Sequence, residues 1–246
     1  MRRRQFIAHG AALILAASEL SPASMQSGAE SGKSPFASSN VKKLIPPTEG
    51  KIPVAFAISD QAQVIDFCGP WEVFQDVMIE NPNKKDDWVQ AFKLFTVSEK
   101  TDPLRATAGL QIVPDYNFDN APEAKVVVVP AQRGSSALNA WLRRVTEKTD
   151  VTMSVCTGAF QLARAGLLSG KSATTHHEYL DRFARAFPDV ELKRGVRFVE
   201  GDKISTAGGL TSGIDLTLHV VERYFGRPVA QRTAEYMEYQ SKAWMV

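Results

Sequence analysis

Apolar residues along this chain follow two rhythms. Short unbroken runs at Ile52 to Ile58, Phe92 to Val97, Val126 to Val129 and Val151 to Val155 have the length and β-branched content of buried strands. Elsewhere apolar positions recur every three or four residues, the period of a helix that buries one face. Trp71, Val73, Phe74, Val77 and Met78 predict a helix beginning after Gly69-Pro70, because proline in a first turn has no bonded N–H to lose. Ala106 to Val113 reads as a hairpin or an irregular excursion. The Val126 run, ending at Pro130, is a central strand covered on both faces, followed by a helix over Ser136 to Lys148. After the strand Val151 to Val155 comes Cys156-Thr157-Gly158, and then a helical period through Ala159, Leu162, Ala163, Leu167 and Leu168. A helix from about Glu178 to Phe187, short strands at Val196 to Val199 and Lys203 to Thr206, and helices at Ile214 to Phe225 and Val229 to Met237 complete the chain. Such alternation predicts an α/β fold, a three-layer sandwich with a mostly parallel central sheet, since parallel neighbours need crossovers and crossovers are helical.

The N-terminal segment breaks this pattern. Residues 1–23 read as an export leader: an arginine cluster, an apolar run from Ala11 to Ala17, then Ser21-Pro22-Ala23. Arg3-Arg4-Gln5-Phe6-Ile7 resembles a twin-arginine signal, with an ordinary secretory leader as the alternative. Either predicts a periplasmic protein, with no membrane association once the leader is removed. Residues 24–50, rich in Ser, Gly, Lys and Pro, predict a linker, or an arm across a partner anchored by Val41, Leu44 and Ile45. The folded domain is expected over 51–246. With 44% hydrophobic and 23% charged residues the composition is that of a globular protein. The overall net charge of +2 matches the leader's own +2 (Arg2, Arg3 and Arg4 against Glu19), so the rest is near neutral and a nucleic-acid partner is not expected.

The chemistry gathers where strands end. Ser154-Val155-Cys156-Thr157-Gly158 is close to a nucleophile elbow, small-x-nucleophile-x-Gly, whose small residues permit the sharp turn that projects a side chain into a crevice. The helix that follows should favour thiolate over thiol; the alternative is a buried, inert cysteine. His176, in Ala173-Thr174-Thr175-His176-His177, a segment short enough to be a strand returning beside the elbow, is a candidate to hold or accept the thiol proton, or else a structural residue capping the next helix. Adjacent residues of a strand face opposite ways, so His176 and His177 do not both reach the sulfur. Asp66, after the first strand, is a candidate proton donor, with Glu72 as rival acid. Cys68 and Cys156 both fall near the predicted crevice, so in an oxidising compartment a bridge between them would silence the nucleophile; Cys68 packed beneath the helix start is the alternative. Gly208, Gly209 and Gly213 read as close-packing glycines near the site, since no phosphate-loop lysine accompanies them. The stretch Tyr236 to Met245 reads as a packed terminal helix or a dimer contact.

Several of these segments resemble the ThiJ/PfpI superfamily, with its class I glutamine-amidotransferase-like fold. They are Asp66-Phe67-Cys68-Gly69-Pro70-Trp71-Glu72-Val73-Phe74, Val155-Cys156-Thr157-Gly158-Ala159-Phe160, Ala165 to His176, and Thr206-Ala207-Gly208-Gly209-Leu210-Thr211-Ser212-Gly213-Ile214-Asp215, over about residues 52 to 240. Within it the pattern is most similar to isonitrile hydratases and to the ligand domains of AraC-type regulators. The resemblance implies a nucleophile at Cys156, an acid at Asp66, a substrate contact at Thr157, a homodimer with sites near its interface, and no metal or organic cofactor. Ala131, Gln132 and Gly69 are assigned to the substrate pocket with Thr157. One departure is that the usual Pro-Gly-Gly reads Pro130-Ala131-Gln132-Arg133-Gly134, in a loop whose amides would complete an anion hole with that of Thr157. The implied reaction is hydration of an isonitrile to an N-formamide. The alternatives are a ligand-binding protein without turnover, which the end of the chain at Val246 and the predicted export disfavour as a transcriptional regulator, and a stress protein acting on aldehydes or sensing oxidants.

Overall fold

The computed structural model describes residues 43–81 and 84–246. The predicted leader, and the predicted linker as far as residue 42, lie outside the described residues. Within them, Leu44 packs on the core and its N–H donates to the Arg223 carbonyl at 3.1 Å, while Ile45 is exposed.

Seven strands form the central sheet: β1 (Ile52–Ala57), β2 (Phe92–Ser98), β3 (Tyr116–Asn117), β4 (Val126–Val129), β5 (Val151–Ser154), β6 (Phe198–Val199) and β7 (Ile204–Ala207). They lie in the order β6-β7-β5-β4-β1-β2-β3, and every pairing is parallel except β6 with β7. Strand residues alternate between two cores, as the pleat demands. Val126 and Val128 join one cluster and Val127 and Val129 the other, all fully buried. Helices α1 (Val64–Gln75), α5 (Ser212–Phe225) and α6 (Arg227–Tyr236) cover the first face. Helices α2 (Ser136–Thr146), α3 (Ala159–Arg164) and α4 (Leu180–Ala186) cover the second. This is the expected three-layer α/β sandwich. The excursion after β2 is a hairpin, Leu104–Arg105 against Gln111–Ile112.

The chain runs outward from β1 to β2 and β3, then crosses back to β4 on the other side of β1. The carboxyl ends of β1 and β4 therefore diverge into a crevice at the reversal of strand order, where open α/β sheets bind ligands.

Three expectations change. Helix α1 starts at Val64, six residues before Pro70, which lies inside it. An interior proline costs about 3 kcal/mol, and here close packing offsets it. A Cβ on Gly69 would stand 3.0 Å from Ile214 Cγ1, and one on Gly213 would stand 3.4 Å from Pro70 Cγ, so Gly69-Pro70 marks where α1 crosses α5. Ser172–Ala173 is a strand, but it pairs with Glu191–Leu192 outside the central sheet. The last helix ends at Tyr236, which is exposed; beyond it Trp244, fully buried, closes the first core without helical structure.

Candidate active site

The backbone first explains why Cys156 faces the crevice. It has φ 57°, in the left-handed region that costs a side-chain-bearing residue about 1–2 kcal/mol. Its N–H donates to the Gly208 carbonyl at 2.7 Å and its carbonyl accepts from the Thr175 hydroxyl at 2.9 Å, which fixes the bend. Gly158 is obligatory for a different reason: a Cβ there would lie 2.1 Å from the Val129 carbonyl oxygen and 2.9 Å from that of Pro130. The elbow glycine lets the turn into α3 press against the end of β4.

Asp66, in the first turn of α1, is completely buried and meets this elbow. Its Oδ2 accepts from the Ala131 N–H at 3.1 Å. The Cys156 thiol is its other hydrogen-bonding neighbour, and no nitrogen or oxygen donor reaches Oδ1. Burial pushes the Asp66 carboxyl up to about 7, against the opposing pull of these two hydrogen bonds. The α1 N-terminus also favours a carboxylate, but desolvation wins.

The sulfur corrects an expectation. Burial first, and the Asp66 charge second, push the Cys156 thiol up to about 11, although the Thr157 amide and hydroxyl and the Leu210 amide all favour the thiolate. Three short-range donors do not repay the loss of water around a side chain 7% exposed beside a carboxylate. The helix that was to favour the thiolate has only six residues. Near neutral pH the sulfur keeps its proton while the Asp66 carboxyl is about half ionised, so the resting sulfur is a thiol beside a group that can give or take a proton.

The remaining predicted residues separate. Ala131 meets the site, but its amide is committed to Asp66 and is not open to an anion hole. Gln132 Nε2 donates to the Ala57 carbonyl at 2.9 Å, tying the loop after β4 to the end of β1, while its buried Oε1 is unpartnered. Gly69 is buried where α1 crosses α5, against Ile214. His176 caps the turn before α4, its Nδ1 accepting from the Glu178 N–H at 3.3 Å, and its ring lies against Gly209, where a Cβ would be 2.6 Å from Cδ2. His177 is exposed beside it. Glu72, the rival acid, is exposed and perturbs Cys68, whose thiol is raised by burial and then by that carboxylate. Cys68 is exposed and Cys156 buried, both free, so no bridge joins them and Cys68 is not packed beneath the helix. Residues two apart on a helix point to opposite sides, so with Asp66 facing the sulfur Cys68 faces away.

Sequence reasoning missed Leu210, whose amide reaches the sulfur from a residue at φ 51°. The neighbouring Gly208-Gly209 was the available signal, since a turn rich in glycine exposes backbone donors. It also missed a cavity of about 160 Å³ beside Thr157, lined from α3 and α4. Among the described residues no cluster of three or more His, Cys, Asp or Glu side chains suits a metal ion, and no helix is long and apolar enough to cross a membrane.

The family model described as the DJ-1/PfpI family matches residues 53–223. An isonitrile hydratase of Pseudomonas putida is 30% identical over 192 residues, covering 76% of this chain and 78% of that protein. The HTH-type transcriptional regulator GbdR of Pseudomonas aeruginosa is also 30% identical, over 61% of this chain but only 42% of its own length. Among solved structures, a ThiJ/PfpI family protein from Pseudomonas syringae superposes with TM-score 0.65 at 25% identity, covering 78% of this chain and 77% of that one. DJ-1beta of Drosophila melanogaster has the same fold, with TM-score 0.65 at 16% identity over 78% of this chain and all of its own.

Proposed function

Since this chain belongs to the DJ-1/PfpI family, we propose that it is a cysteine-dependent hydratase that converts a small isonitrile to the N-formamide. The observation that carries this reading is the pairing of a buried, proton-holding Asp66 carboxyl with the Cys156 thiol. An isonitrile carbon is both electrophilic and able to accept a proton, so it needs a nucleophile and an acid at one place. In the first step Sγ bonds to the terminal carbon of R–NC, and the proton shared by Cys156 and Asp66 passes to that same carbon, giving the thioimidate Cys–S–CH=N–R. Asp66 is then a carboxylate and accepts a proton from water as its oxygen attacks the thioimidate carbon. That proton passes from Asp66 to the nitrogen, the C–S bond breaks as the remaining hydroxyl proton goes to the sulfur–carboxyl pair, and R–NH–CHO leaves. Atoms balance as R–NC plus water, and the donors at Thr157 and Leu210 stabilise sulfur whenever it carries charge.

The similarity to the Pseudomonas putida isonitrile hydratase, which extends over most of both chains, supports this choice among cysteine chemistries. The test is incubation with aryl and alkyl isocyanides while formamide is followed. Cys156→Ala should lose turnover and retain binding, Asp66→Asn should fall about 100-fold or more, and full activity in Cys156→Ala would reject the mechanism. A second reading, ligand binding without turnover, draws on the raised thiol and on the similarity to transcriptional regulators; saturable binding with no formamide from any isocyanide would favour it. We also propose a homodimer in the periplasm, the latter on the Arg3-Arg4 pattern; sedimentation and cell fractionation test these.

A further inference from the structure

We infer that the molecule processed at Cys156 carries a small oxyanion, a carboxylate or a phosphate-like group, received by Arg133, Arg164 and Arg182 in the cavity beside Thr157. This rests on the reading that Cys156 is the site of turnover. The cavity, about 160 Å³, is walled by Thr157, Phe160, Tyr179 and the three arginines among others, and no Asp or Glu lines it. Thr157 joins it to the sulfur, because the amide and hydroxyl of that residue engage Cys156. Thr157, Phe160 and Arg164 follow one another at helical spacing, so they share a face. Tyr179 closes the cavity from the turn before α4, Arg182 from α4 itself, and Arg133 from the loop after β4.

The charge is unpaired, although Arg133 also borders a second cavity that Asp60, Glu99 and Asp102 help to line. Among the described residues none of the three guanidiniums enters an ion pair. Arg164 lies over the Phe160 ring at 5.9 Å from its centroid, and Asp181, the neighbour of Arg182, is engaged by Arg194 at 2.6 Å. Three like charges around one small space repel a cation and gain most from an anion placed among them. The planar guanidinium fork matches the oxygens of a carboxylate or phosphate. Phe160 and Tyr179, edge to face with centroids 6.4 Å apart, offer an apolar wall for the carbon chain between that anion and the reacting carbon.

The experiment compares three short isocyanides on one scaffold: a carboxylate, its methyl ester and the matching phosphonate. In the wild type the specificity constant for one charged substrate should exceed that for the ester by about tenfold or more, mostly through KM, and the better of the two identifies the group. In Arg164→Gln and Arg182→Gln that ratio should fall towards one. Equal constants in the wild type, or a ratio unmoved by both substitutions, would overturn the inference. A readout independent of turnover comes from Cys156→Ala, titrated calorimetrically with N-formylglycine and with inorganic phosphate. At least one should bind, with a dissociation constant raised about tenfold by adding Arg164→Gln and weakened by salt. Arginine-dependent binding with no isocyanide turned over would sink the hydratase and leave the anion site standing. Turnover without such binding would do the reverse.

Discussion

Replacing Asp66 by asparagine removes a charge and keeps the shape, so it isolates what ionising this carboxyl costs the fold. Its ordinary value is 3.8 and burial lifts it to about 7. A folded state that holds its proton more tightly than the unfolded chain is stabilised below the lower value, and loses that stability as pH rises towards the higher one. At about 1.4 kcal/mol for each tenfold change in the equilibrium, the loss is about 4 kcal/mol, complete by pH 8. The carboxyl is fully buried, so solvent does not screen this cost. Asparagine has no such titration. Its oxygen can still accept from Ala131, and any fixed cost of its amide group is the same at every pH. Urea unfolding of both proteins at intervals from pH 4 to pH 8 gives two stability curves, and their difference cancels every other titrating group. That difference should move by about 4 kcal/mol in favour of Asp66→Asn across the window. Curves that stay parallel within about 1 kcal/mol would show that Asp66 titrates in the folded protein as it does in the unfolded chain. The proton-donor role would fall with it.

Gly158→Ala sets a Cβ against two backbone carbonyls that cannot move aside; it should cost about 3 kcal/mol and lower Tm by about 6–12 °C in a thermal scan. Gly209→Ala meets a side chain instead, the His176 ring. Its cost should be about 1 kcal/mol and should vanish when His176→Ala is added, a non-additivity read from a double-mutant cycle; purely additive effects would remove the proposed contact. With iodoacetamide at pH 8, followed by peptide mass spectrometry, exposed Cys68 should label well before Cys156, and Cys156 labelling should keep rising beyond pH 9 because its thiol is held up to about 11. Preferential labelling of Cys156 at pH 8 would contradict the burial argument.

The strands were legible because four apolar runs had no other means of burial, and the elbow because Gly158 and Cys156 obey steric rules that leave a mark in residue type. The start of α1 was not. Val64 to Gly69 carries weak helical periodicity, and Pro70, a strong local signal, is overruled by the crossing with α5, which no local window contains. The choice between Asp66 and Glu72 likewise needed the third dimension, since on a helix they face differently and only one meets the sulfur. The sign of the thiol's displacement was misjudged because a helix terminus is visible in sequence while the depth of burial is not. Leu210 acts through its backbone, which leaves no signature in side-chain identity.

The bond from Ala131 to Asp66 also bears on what this crevice is unsuited to do. Cleaving an ester or an amide builds negative charge on a carbonyl oxygen, and that oxygen needs free N–H groups waiting for it. The loop that would offer them has one donor tied up by the acid, and the amides of Thr157 and Leu210 already point at sulfur. Under the proposed function this matters less, because an isonitrile develops its charge on carbon and takes up a proton there. The main-chain hydrogen of Ala131, held by the acid, is thus one donor fewer for an acyl oxyanion.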